Sequence, residues 1–136
     1  MSVTSNGVSS AIARRYEAAS GLKIPEWRIM AVLGDAGALT QREMVGATLM
    51  DKVAVNRACK VLEERGLATR SPNTRDGRSH HLELTAQGRE MHRTVMAIAL
   101  DTAQRIFSVL DQAEQDQLKR LLDRLRHSVD ALDETA

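Results

Sequence analysis

Between Thr40 and Thr85 the chain carries two short helix signatures, a glycine stop and a hairpin signature in unbroken succession, an order few folds accommodate. Thr40-Gln41-Arg42-Glu43 has the form of a capping box, in which the threonine hydroxyl accepts from the amide of residue 43 and the glutamate reaches back to residue 40. Leu39 and Met44 stand where a hydrophobic staple sits, and the helix they open ends near Ala47. Asp51 caps the next helix, where its carboxylate also complements the helix dipole. Val55, Ala58, Cys59 and Leu62 then recur at i, i+3, i+4 and i+7 and define one buried face. Gly66 suits a left-handed C-cap, with Leu67 placed to pack back on Leu62. Residues 67–72 and 80–84 are short strand candidates around a loop, Asn73-Thr74-Arg75-Asp76-Gly77-Arg78. Leu82 and Leu84 alternate with His81 and Glu83 as a half-buried strand requires.

The flanking segments read as helices. Val8, Ile12, Tyr16 and Ala19 predict a first helix over about 9–20, ended by Gly21. Pro25 suits the first turn of a second helix through Leu33, with Trp27, Met30 and Ala31 inward, and Gly34 and Gly37 are expected to break it. Thr85 caps a long helix through Met91, Val95, Ile98, Thr102 and Ile106. Asp111 with Glu114 forms a second capping box before a last helix carrying Leu118, Leu121, Leu122, Leu125, Val129 and Leu132. With only Tyr16, Trp27 and Phe107 as aromatics, the core rests on aliphatic residues, which favours helices over a β-sandwich. The expected fold is mainly α with a small β-wing. A single domain over 1–136 holds a winged helix-turn-helix at 25–85, flanked by dimerisation helices at 9–20 and 86–132.

A helix pair followed by a basic hairpin is suited to DNA: one helix enters the major groove, and the hairpin reaches towards a minor groove. Net charge is only +1, but its distribution is uneven. From Asp51 to Arg78 seven basic residues face four acidic ones, whereas from Asp111 onward seven acids face four bases. On the face of the 52–64 helix opposite its buried stripe lie Val53, Arg57, Lys60 and Glu64, with Lys52 and Asn56 on the flank. Asn56 and Arg57 are suitable partners for adenine and guanine, Val53 for a thymine methyl group, and Lys52 and Lys60 for phosphates. Any such face is also what an ordinary solvated helix presents; the capped helix before it and the basic hairpin after it favour the DNA reading. At the hairpin tip Gly77 permits a positive φ, Arg75 and Arg78 project towards a narrow groove, and Asp76 is placed to hold an arginine in one direction.

The runs Leu49-Met50-Asp51-Lys52-Val53-Ala54-Val55-Asn56-Arg57, Leu62-Glu63-Glu64-Arg65-Gly66-Leu67, Asp76-Gly77-Arg78 and Leu84-Thr85-Ala86-Gln87-Gly88 together resemble the MarR family of bacterial regulators. Pro25-Glu26-Trp27-Arg28 resembles that family's second helix, and the likeness spans roughly 9–132. It implies a homodimer whose first and last helices interlock, each winged domain reading one half-site of a palindrome in double-stranded DNA, with repression as the commoner outcome. It implies major-groove contacts from Val53, Ala54, Asn56 and Arg57, and a minor-groove Arg78 steadied by Asp76. At Val53 and Ala54 the chain departs from the Ser or Thr common in the family, offering apolar contact in place of hydroxyls. It also implies release of DNA by a small molecule between the dimerisation helices and the winged domain. Arg14, Arg15, Tyr16 and Trp27 are the candidates to line that pocket, for an aromatic carboxylate or its thioester. Tyr16 and Trp27 serve equally as plain core residues. The apolar stripe Leu118, Leu121, Leu122, Leu125, Val129 and Leu132, with Ile12 on the first helix, is the expected dimer interface.

Other functions find little footing. No Gly-rich phosphate loop, G-x-S-x-G or paired-carboxylate arrangement suggests an enzyme, and no cofactor is expected. His80, His81, His92 and His127 lack metal-ligand spacing, so no metal is expected. Cys59 falls on a buried face and reads as an inert core residue, whereas peroxide-sensing members of the resembled family carry their cysteine in the first helix. With neither a membrane-spanning run nor a signal-peptide core, a cytoplasmic location is expected. The rival reading is a winged helix that binds another protein; the basic residues on helix and wing speak against it.

Overall fold

A computed structural model describes residues 2–72 and 80–135. In chain order they form α1 (Ser2–Ser20), α2 (Ile24–Ala36), β1 (Leu39–Thr40), α3 (Gln41–Thr48), α4 (Lys52–Glu64), β2 (Ala68–Pro72), β3 (His80–Leu84), α5 (Ala86–Phe107) and α6 (Gln112–Thr135). The chain is mainly helical with a small antiparallel sheet of order β1-β3-β2. α1 lies along α5, while α2 packs on α3, α4 and α5 to build the winged body.

The local chemistry explains the boundaries. Thr40 Oγ1 accepts from the Glu43 amide at 3.2 Å and the Thr40 amide donates to Glu43 Oε1 at 3.0 Å, so α3 opens on a closed capping box. Accepting from Thr40 holds the Glu43 carboxyl below the ordinary glutamate range. α4 starts on Asp51, whose carboxylate accepts from the Ala54 amide at 2.8 Å. It stops in a Schellman arrangement: the Leu67 amide donates to Leu62 O at 2.9 Å and the Gly66 amide to Glu63 O at 3.0 Å, with Gly66 at φ 71°. Val55, Ala58, Cys59 and Leu62 are all buried, as their spacing predicts.

Three expectations need correction. α1 begins at Ser2, several residues before the first apolar repeat; its opening turns are exposed and leave no periodic mark in the sequence. α2 runs through Gly34 to Ala36 and turns out at Gly37, which has φ 82°. Gly34 has a packing role instead: a Cβ there would stand 2.4 Å from His92 Nε2, so glycine lets α2 approach α5. β1 was not foreseen. It is two residues long, too short for alternation to show, yet it pairs Leu39 with Leu82 and Thr40 with His81.

The buried core joins Leu22, Ile29, Met30, Leu33, Val55 and Leu62 to neighbours from α1, the sheet and α5. None of its members comes from α6. Arg65 ties the far end of α4 to α1, donating to the Ser20 carbonyl at 2.7 Å. Among the described residues no helix is long and apolar enough to cross a membrane.

Candidate nucleic-acid interface

The buried stripe of α4 fixes its opposite face outward. Lys52, Val53, Asn56, Arg57 and Lys60 are exposed, and Ala54 is half-buried at the edge. Val53 is 61% exposed, far more than a helix packed on both sides would leave an aliphatic residue. The face therefore mixes amide, guanidinium, ammonium and aliphatic groups, which together match base edges and phosphates.

Two of the seven basic residues counted along 51–78 are already engaged within the protein. Arg65 holds the α1 carboxyl end, and Arg70 Nε donates to Glu63 Oε1 at 2.6 Å. Lys52, Arg57 and Lys60 remain as exposed cations on α4. The wing tip with Arg75, Asp76, Gly77 and Arg78 lies outside the described residues. Asn56 leans towards the sheet, at the rim of a narrow cleft shared with Gln41, Arg70, His80 and His81. The Gln41 Nε2 atom there is buried and, among the described residues, has no hydrogen-bond partner. In the sequence Gln41 shows only as a capping-box spacer, and only the sheet register brings the two histidines beside Asn56.

The residues proposed to line a ligand pocket separate into two grooves. Tyr16 and Trp27 meet with ring centroids 5.9 Å apart and, with Ile12, Ile24, Arg28 and Leu100, line a cavity of about 340 Å³ between α1, α2 and α5. Burial pushes the Tyr16 phenol up from its ordinary value. Arg14 and Arg15 instead line a wider groove between α1 and α5, with Asp101 and Thr102. The arginine that accompanies the aromatic pair is Arg28; its place in Pro25-Glu26-Trp27-Arg28 was the one available signal.

Cys59 is buried with its Sγ 3.8 Å from Met44 Sδ, and burial pushes the thiol up to about 11. At pH 8 the thiolate is scarce. Native protein is therefore expected to resist a disulfide-exchange reagent and dilute peroxide at pH 8, and to react promptly once unfolded in urea. Stoichiometric modification of the native thiol within minutes would contradict this.

α6 is held at its start, where Gln115 Nε2 donates to the carbonyls of Phe107 and Leu110. Further along, Leu121, Leu122, Leu125 and Val129 are 45%, 48%, 53% and 56% exposed, and Leu132 is 67% exposed. Leu118 is half-buried, next to Phe107 and Leu100 in the elbow between α5 and α6. Ile12 packs partly against the core of its own chain.

Against known proteins, residues 20–79 match the model of the MarR family. The chain is similar to an HTH-type transcriptional repressor of Mycobacterium tuberculosis, 28% identical across 77% of this chain and 76% of the repressor. Its fold matches the crystal structure of a MarR/EmrR family transcriptional regulator from Acinetobacter sp. ADP1, with a TM-score of 0.84 and 28% identity over 96% of this chain and 92% of that one. It also matches a mutant MarR from E. coli complexed with operator DNA, with a TM-score of 0.82 over 90% of this chain and 88% of that one; at 18% identity that likeness speaks for the fold alone.

Proposed function

We propose that the chain is a MarR-family transcriptional repressor that binds a palindromic operator as a homodimer; the match of residues 20–79 to the family's model, the likeness to a mycobacterial repressor and the shared fold support this. The observation that carries this reading is the two-sidedness of α4. One side is locked into the core by Val55, Ala58, Cys59 and Leu62, and the other presents Asn56, Arg57, Lys60, Lys52 and Val53 to the outside. In this reading Arg57 and Asn56 read base edges, Val53 and Ala54 touch apolar groups of the groove, and Lys52 and Lys60 hold phosphates. Arg75 and Arg78 enter the minor groove, with Asp76 steadying one of them.

The exposed α6 stripe pairs with its symmetry mate, and α1, carrying Ile12, completes the interface. Two-fold symmetry then sets half-sites about 10 bp apart. The cavity beside Tyr16, Trp27 and Arg28 takes a small aromatic carboxylate or its thioester, whose ring stacks on the aromatic pair while its anion meets the guanidinium. Arg14 and Arg15 lie on the neighbouring groove and act on the ligand only if it extends that far.

Arg57→Ala tests the reading. On a duplex carrying the preferred sequence its affinity is expected to fall about 5- to 150-fold per half-site, from the ~1–3 kcal/mol of a bidentate base contact. On a scrambled duplex it is expected to stay within about threefold of wild type. Equal loss on both duplexes would show that Arg57 holds phosphate and reads no base.

A further inference from the structure

Leu49 sits in the turn between α3 and α4 with its side chain 92% exposed. An exposed leucine alone means little. Its backbone is the second, independent observation: at φ 57° Leu49 is, among the described residues, the one non-glycine residue in the left-handed region. A side chain with a Cβ is disfavoured there, and glycine or asparagine fits the position freely. The turn itself does not need a leucine. The Leu49 amide closes α3 on Val45 O at 3.1 Å, Thr48 Oγ1 accepts from the Met50 amide at 3.4 Å, and Met50 is the residue that turns its apolar side chain onto the core. Leu49 thus carries a backbone cost and a hydration cost with no return inside the molecule.

The position says what the return is. Leu49 lies two residues before Asp51, the N-cap of α4, and Val53 follows in the first turn of that helix, so two exposed branched aliphatic residues bracket the end of α4. Lys52 stands between them and Arg57 follows one turn on. Two side chains with the charged Asp51 and Lys52 between them are far too small an apolar patch for a protein partner, whose interface needs roughly 800 Å² from each side. They suit the one apolar group that the major groove displays, the 5-methyl of thymine. Resting on the operator-binding reading above, we infer that Leu49 is a specificity-determining residue that packs against a thymine methyl group at the edge of the major groove, beside the base touched by Val53.

The test is a thymine-to-uracil scan of the preferred duplex, which removes only the methyl group, read with wild type and Leu49→Asn. Asparagine suits the left-handed turn, so the variant is expected to melt no lower than wild type. At one symmetric pair of thymines, wild type is expected to lose about fourfold per half-site, and tenfold or more when both are replaced. Leu49→Asn is expected to bind thymine and uracil duplexes equally at that pair, and to stay sensitive at any position read by Val53. A variant that keeps the full uracil penalty at every position overturns the inference while leaving operator binding intact, as does a wild type indifferent to uracil throughout. If neither protein prefers any sequence, the operator-binding reading itself fails and the role of Leu49 fails with it.

Discussion

Gly88→Ala is expected to destabilise the protein by about 3 kcal/mol, although alanine is the better helix former by ~1 kcal/mol. Gly88 lies in the first turn of α5, where its amide donates to the capping Thr85 Oγ1 at 3.0 Å. A Cβ there would stand 1.9 Å from the Leu67 carbonyl oxygen and 3.3 Å from Leu84 Cβ. The carbonyl cannot rotate away, because it accepts from the Thr85 amide at 3.1 Å while the Leu67 amide completes the α4 C-cap. Relief would require α5 to lift off the root of the wing, separating buried Leu67 and Leu84. Overpacking against fixed backbone costs about 3 kcal/mol at the upper end of its usual range, a large part of the 5–15 kcal/mol that a domain of this size commands. Urea unfolding followed by circular dichroism measures it. A midpoint within the error of wild type would mean that α5 docks with more room than the structure gives it.

A charge in the α6 stripe should act on assembly and leave the fold alone. Leu125→Glu places a carboxylate at a position 53% exposed in the isolated chain, on a helix that adds nothing to the buried core. The winged body should therefore keep its melting behaviour to the extent that it is stable without its partner. In the proposed dimer two-fold symmetry brings the new charge in twice, and burying an unpaired carboxylate costs several kcal/mol. The dimer dissociation constant is expected to rise by about 100-fold or more, and operator affinity to fall with it, because one half-site then binds alone. Sedimentation at micromolar concentration distinguishes the outcomes. A variant that stays dimeric would move the interface off the α6 stripe.

What the sequence made legible follows the reach of each signal. The buried face of α4 was readable because four residues at helical spacing leave one orientation open, and its ends because Asp51 and Gly66 each perform one local task. The outward face followed by subtraction. Signals between distant segments were not readable. Nothing near Gly34 announces that His92, far along the chain, lies over it, so by local signals alone the glycine marks a helix end. The charge along 51–78 was countable, but the pairing of Arg70 with Glu63 and of Arg65 with the Ser20 carbonyl was not. For the same reason Arg14, Arg15, Tyr16 and Trp27 looked like one group. Arg14 lies about 200° round α1 from Tyr16, so the two fall to different grooves, and Arg15 between them sides with Arg14. Leu49 stands out in the sequence only as part of a family-like run, because its conformation and exposure exist only in three dimensions.

In the proposed repressor α4 is the element that reads sequence, and selection from a pool of random duplexes followed by sequencing tests that most directly. The predicted result is a two-fold-symmetric motif with half-sites about 10 bp apart, bound with an affinity that falls steeply between low and moderate salt. Recovery of no preferred sequence, with a shallow salt dependence, would contradict it; the exposed face of α4 would then be a surface for another protein.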